Sequence, residues 1–163
     1  MKQVKHERPS WDQYFITQAN LLGSRGTCDR SRSGCVITKD KRIISTGYIG
    51  SPPSLPHCDD VGHEMNTVIN EDGTKSMHCV RTTHAEQNAI VQAARFGLAT
   101  DGATLYCKMT PCYTCAKLVI TAGIKRVVSE KDYHASKRSK EIFKKAKIKL
   151  EILNKEVEKY KHQ

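Results

Sequence analysis

The sequence predicts an α/β layer fold whose sheet is mostly parallel beyond an N-terminal hairpin. Three observations lead there. From His84 onward, β-type runs alternate with helical segments, the pattern of crossover-connected parallel strands. Near the N-terminus, two strand-like runs are separated only by the polar Lys39-Asp40-Lys41. Finally, 163 residues, 38% hydrophobic and 27% charged, support one domain with its own core.

The elements follow in order. Ser10 is placed to cap a helix running to about Leu22, where Trp11, Tyr14, Phe15 and Gln18 to Leu22 recur at helical spacing and Gly23 and Gly26 close the run. Gly34 to Thr38 and Arg42 to Thr46 read as a hairpin. Pro52, Pro53 and Pro56 then forbid regular structure at the start of a long connection, Ser51 to Thr82. That length is too great for a passive loop, so the segment is expected to be functional or held by something other than a core. His84 to Phe96 reads as a helix ended by Gly97, Ala103 to Met109 as a strand, and Cys112 to Ala122 as a helix ended by Gly123. Arg126 to Ser129, Ala135 to Lys147 and Ile148 to Leu153 read as strand, basic helix and strand. The expected core spans about 10–153 of a single domain covering 1–163, with 51–82 as an insertion and 154–163 as a basic tail.

No stretch approaches the ~20 apolar residues of a transmembrane helix, and the polar start has no signal-peptide h-region, so a soluble intracellular chain is expected. The net charge is +10, and Lys131 to Gln163 carries 11 lysines and arginines against five acidic residues. Such a chain attracts phosphates without saying which kind. The odd count of seven cysteines (Cys28, Cys35, Cys58, Cys79, Cys107, Cys112, Cys115) argues against a disulfide framework. Clustered Cys with nearby His points to metal instead.

Two short motifs carry the chemistry. His84-Ala85-Glu86 opens one predicted helix, and Pro111-Cys112-Tyr113-Thr114-Cys115 opens another. A thiolate at a helix start and a second one a turn later can face one metal, and the helix N-terminus favours their anionic form. His84 adds a nitrogen. Three protein ligands leave a fourth tetrahedral position for water, the arrangement of a catalytic zinc site. Glu86 is poised beside that water as the proton carrier. Alone, Cys-x-x-Cys also suits structural zinc or redox work, and His-Ala-Glu means little. In this order they match the signature of zinc-dependent nucleobase deaminases.

From about Ser10 to Leu153 the chain resembles the deoxycytidylate (dCMP) deaminases of bacterial and phage type, within the zinc-dependent cytidine/deoxycytidylate deaminase superfamily. The resemblance rests on Trp11 to Phe15, Ser24 to Arg30, Arg42 to Tyr48, Cys79 to Ile90, Ala122 to Lys125 and Tyr133. It implies a three-layer α/β/α cytidine-deaminase-like fold with a mixed sheet of about five strands. It implies conversion of dCMP to dUMP and ammonia for dTTP synthesis, in the cytoplasm (of the host, if phage-encoded). It also implies a homo-oligomer, a hexamer in many members, activated by dCTP with Mg2+ and inhibited by dTTP, with no membrane partner.

The same resemblance implies a second, structural zinc held by Cys28, Cys58, His63 and Cys79, with His78 as the alternative to Cys79. That would order the irregular connection. It points to Arg25 and Tyr133, with His134 behind them, as donors to the substrate phosphate. Asn88, one turn after His84 on the same helix face, is a candidate substrate contact but reads first as structural. Arg95 falls where some phage members place an effector or subunit-contact Arg. Ile49 departs from the pattern: the family loop has Asn there, which hydrogen-bonds where Ile cannot. The departure would alter substrate choice or regulation. Cys35 and Cys107 read as small buried hydrophobes. His57 reads as a surface residue, and His6 and His162 have no assigned role. The other readings are a deaminase of dCTP or modified dCMP, a tRNA- or DNA-acting deaminase suited to the positive charge, and a catalytically dead zinc scaffold, which would not need Glu86.

Overall fold

The computed structural model describes residues 6–69 and 73–158. Helix α1 (Trp11–Gly23) begins at a capping box: Gln13 N–H donates to Ser10 Oγ at 3.2 Å, and Ser10 N–H donates to Gln13 Oε1 at 3.0 Å. Strands β1 (Gly34–Lys39) and β2 (Arg42–Tyr48) form the expected hairpin. Asp40 and Lys41 both take positive φ, +50° and +59°, as a two-residue hairpin turn requires.

The connection after β2 holds more regular structure than its prolines suggest. It contains a short helix α2 (Cys58–Val61) and a separate antiparallel hairpin, β3 (Met65–Ile69) with β4 (Lys75–Cys79). Four of the five β3 residues are exposed. A strand with no buried face has no alternation to read, which is why the pair was not expected.

Then follow α3 (Ala85–Arg95), β5 (Thr104–Met109), α4 (Tyr113–Thr121), β6 (Arg126–Tyr133), α5 (Lys137–Lys145) and β7 (Lys149–Ile152). Strand β6 runs four residues past its expected end, and α5 is two residues shorter at each end than expected. The expected tail is not wholly a tail: Val157–Glu158 form β8, parallel to the end of β6. Residues 159–163, including His162, lie outside the described residues.

The main sheet has strand order β2-β1-β5-β6-β7, with β8 beside β6. Pairing is antiparallel for β2/β1 and β1/β5 and parallel from β5 to β7. Side chains alternate across it. Val36, Tyr106 and Val128 face α1 through Phe15, Ile16 and Ala19. Cys35, Ile37, Leu105, Cys107 and Val127 face the other way, onto Ala85 and Ala89 of α3, Val119 of α4 and Phe143 of α5. The result is an α/β/α sandwich. Cys35 and Cys107 are fully packed cross-strand neighbours. At Gly47 a Cβ would lie 2.5 Å from Ala89 N, so only glycine lets α3 approach β2 this closely. Ser45 Oγ seals that contact by donating to Ala89 O at 2.7 Å. No helix among the described residues is long and apolar enough to cross a membrane.

Candidate metal centre and its pocket

The sheet brings two helix starts together at the C-terminal ends of its parallel strands, where α/β folds place their sites. His84 is the N-cap of α3, with its backbone N–H held by Gln87 Oε1 at 2.8 Å. Cys112 is the N-cap of α4, and Cys115 lies in that helix's first turn. His84 Nδ1 is 3.5 Å from Cys112 Sγ and 3.4 Å from Cys115 Sγ. Ligands at ordinary Zn–S and Zn–N lengths with tetrahedral angles stand about 3.5 Å apart, so the triangle fits zinc.

The charges suit a cation. A hydrogen bond from Cys115 and the neighbouring His84, against burial, bring the Cys112 thiol down to about 4. Cys115 is pushed well up by that same bond to Cys112 and by burial. Burial would lower His84, but the Cys112 thiolate outweighs it and lifts the ring to about 9. One thiolate is therefore in place, and metal binding would displace the remaining protons. Glu86, 8% exposed, is pushed up chiefly by burial, against the His84 charge. A carboxyl raised this way suits a group that both takes and gives a proton.

A second group stands beside the first. Cys28, Cys58, His63 and Cys79 bring four ligand atoms within 4.8 Å of one another. Cys28 Sγ is 3.7 Å from His63 Nδ1, and Cys58 Sγ is 3.6 Å from Cys79 Sγ. These spacings also fit the edges of a zinc tetrahedron. His78 stays outside the group, with its Nε2 2.9 Å from Ser76 Oγ. Asp29 Oδ1 meets His63 Nε2 at 3.1 Å and so orients Nδ1 toward the cysteines. Arg32 holds Asp59 through two bonds of 2.7 and 3.0 Å, tying the loop of Cys28 to the helix of Cys58. Neither Asp29 nor Arg32 stood out in the sequence, because the pairing depends on how distant loops meet.

The remaining candidates are scattered. Ile49, 6% exposed, packs against Cys28, Cys58 and Cys79 and lines a small pocket that also reaches His84. Asn88 donates Nδ2 to Tyr48 O at 2.7 Å, anchoring α3 to the end of β2. Tyr133 is buried at the end of β6, edge-on to the His134 ring at 4.5 Å. Arg25 is exposed and does not line that pocket. Arg95 lies in the last turn of α3, its guanidinium 5.9 Å from the Phe96 ring centroid. His57 is half-buried as the N-cap of α2, and His6 is exposed.

Comparison with known proteins agrees with this geometry. Residues 9–131 match the cytidine and deoxycytidylate deaminase zinc-binding region. ComE operon protein 2 of Bacillus subtilis is 44% identical over 145 residues, 89% of this chain and 72% of its own. The deoxycytidylate deaminase of Mycobacterium phage D29 is 37% identical, covering 77% of this chain and 98% of its own. That of Saccharomyces cerevisiae is 38% identical, but this chain spans only 44% of it. The dCMP deaminase of cyanophage S-TIM5, solved in complex with dCMP and dUMP, superposes with a TM-score of 0.71 at 25% identity, covering 90% of this chain and 99% of that one. With most of its length matched and both zinc motifs at helix starts, the chain belongs to the cytidine and deoxycytidylate deaminase zinc-binding family.

Proposed function

We propose that the protein hydrolyses dCMP to dUMP and ammonia. The observation that carries this is the His84–Cys112–Cys115 triangle with the buried Glu86 beside it. The S-TIM5 and phage D29 relatives supply the substrate class. Zinc, when bound, lowers the pKa of a coordinated water toward about 7 and so supplies hydroxide near neutral pH.

Glu86 does the proton work. It takes a proton from the attacking water and gives it to the pyrimidine ring nitrogen. The water oxygen bonds the amino-bearing carbon. Glu86 then carries a second proton to the departing amine, the carbon–nitrogen bond breaks, and ammonia leaves. Burial of Glu86 favours its protonated form midway through this cycle.

The same reading takes a zinc at Cys28, Cys58, His63 and Cys79 as structural, a homo-oligomer (a hexamer, as the family resemblance implies), activation by dCTP with Mg2+, inhibition by dTTP, and a cytoplasmic setting. Ile49, a wall of the pocket where the family has Asn, favours one second reading, a preference for dCTP or a modified dCMP.

The test is loss of the cytosine absorbance on mixing the zinc-loaded protein with dCMP, with and without dCTP and Mg2+. Turnover of dCMP supports the reading, and faster turnover with dCTP supports the regulation. No turnover of dCMP in either condition overturns it.

A further inference from the structure

We infer that a groove at the end of the sheet opposite the metal triangle binds single-stranded nucleic acid, with a base stacked on Trp11 and backbone phosphates on Arg8, Lys41 and Arg42. The inference goes beyond the deaminase reading and does not depend on it.

The groove lies between the start of α1 and the β1–β2 turn. Its volume is about 560 Å³, and its walls include Arg8, Trp11, Tyr14, Lys41, Arg42 and Ile43. Thr38, just before the turn, pairs with Thr104, the first residue of β5, whereas Cys112 follows the other end of that strand. The length of β5, roughly 17 Å at ~3.4 Å per residue, therefore separates the groove from the metal triangle.

The rings in this groove are anchored but not buried. Trp11 is 51% exposed and Tyr14 42%, with their rings perpendicular and 6.0 Å apart. Trp11 also stacks on the buried Phe15, with centroids 5.6 Å and planes 21° apart. An indole held in this way, with half its surface in water, is a platform for an unpaired base.

The charges suit the other half of such a ligand. The groove walls carry three cations and no acidic residue. Lys41 holds its ammonium 5.5 Å from the Trp11 ring centroid. Among the described residues, no carboxylate pairs with Arg8 or Arg42. A second groove of about 350 Å³ shares Trp11, Phe15 and Lys41 with the first and continues past Lys39. The two give a track on both sides of the indole, longer than one nucleotide. A second copy of the chain is a poor occupant, because a two-fold contact would set these cations against themselves. A duplex keeps its bases stacked on one another, so a single strand is what offers a free base face.

Trp11 is the chain's only tryptophan, so its emission reports the groove directly. The experiment titrates the zinc-loaded protein with an oligothymidylate of about 12 nucleotides, within the site size of such grooves. Thymine has no amino group to deaminate. The comparison probes are dTMP and a duplex of the same length. The expected result is saturable quenching by the oligonucleotide at low salt. Log affinity should fall against log salt with a slope of about −2, as three phosphate contacts on a single strand imply. Arg8→Ala with Arg42→Ala should flatten that slope to about −0.7. Trp11→Leu, which keeps an apolar contact with Phe15, should weaken binding about tenfold or more, read by anisotropy of labelled oligothymidylate. Arg8 and Arg42 are both exposed, so their variant carries the test even if Trp11→Leu does not fold. Absent quenching, equal binding of dTMP or of the duplex, or an affinity that survives both sets of substitutions overturns the inference. A changed subunit count in Trp11→Leu also overturns it, by making the groove a contact between copies.

Discussion

The hydroxyl of Thr110 donates to Asp132 Oδ1 at 3.0 Å, joining the loop that presents Cys112 to the junction of β6 and α5. Asp132 gathers more donors there: Tyr133 N–H at 2.9 Å, Ser136 Oγ at 2.8 Å and the Lys140 ammonium. Burial works against the charge, but these donors, Lys140 foremost, hold the carboxyl below its usual range. Thr110 lies two residues before Cys112, so its hydroxyl steadies a metal ligand without touching the metal. Thr110→Val keeps the shape and leaves Asp132 its other partners. It should cost only about 1 kcal/mol of stability while weakening zinc binding at the His84 site about tenfold, read by competition with a chromogenic chelator. Unchanged affinity would remove the positioning role.

Glu86→Gln separates catalysis from metal binding. The amide has the same shape and buries without a charge, while the ligands His84, Cys112 and Cys115 are untouched. Zinc content and unfolding midpoint should match wild type. Turnover of dCMP, followed by absorbance, should fall by about 10²- to 10⁴-fold, the range a positioned proton carrier supplies. Full activity would show that another group moves the proton.

The second cluster gives a different signature. Cys58 closes on Cys79 at 3.6 Å and sits on a four-residue helix that cannot hold itself. Cys58→Ser should reduce zinc from two ions per chain to one. It should cost about 3 kcal/mol or more, which is roughly 6–12 °C in Tm for a chain of this size. The kcat should fall far less than with Glu86→Gln. Two ions retained in the variant would mean that Cys58 is not a ligand.

These residues also show where sequence reasoning reached and where it stopped. His84, Cys112 and Cys115 were legible because each motif opens a helix, and a helix start fixes local geometry within a few residues. The core was legible because Val36, Tyr106 and Val128 alternate with Cys35, Leu105 and Val127 across the sheet. Hairpin β3–β4 was not, because it hides too little surface to imprint a pattern. Asp29 and Arg32 act through His63 and Asp59, and Asp132 reaches the Cys112 loop through Thr110; these partners are brought close only by the fold, so no local spacing announces the links. Ile49 was visible as a departure, but its packing on the cysteines of the second cluster emerges only in three dimensions.

The network that fastens α1 to the sheet yields a pH dependence. Arg126 holds both oxygens of Asp12 at 2.8 Å, and Tyr106 donates its hydroxyl to Asp12 Oδ1 at 2.9 Å. The bond to Arg126 is the main reason that the Asp12 carboxyl lies below its ordinary value, against a partial burial that opposes it. A carboxylate depressed on folding stabilises the protein above the unfolded pKa, about 3.9, and that contribution is lost as pH falls through the lower folded value. Asp12→Asn should therefore cost about 1–2 kcal/mol at pH 7, a modest figure because the pair is partly solvated. The gap between wild type and variant should close as the pH drops below about 4. At the alkaline end, burial and the Asp12 charge raise the Tyr106 phenol to about 12. Its contribution is complete below the unfolded tyrosine value, near 10, and is lost as pH climbs through about 12. Urea unfolding of both proteins at pH 7 and pH 3 checks the acid limb. A gap that stays constant between the two would show that Asp12 stabilises α1 by packing rather than by its charge.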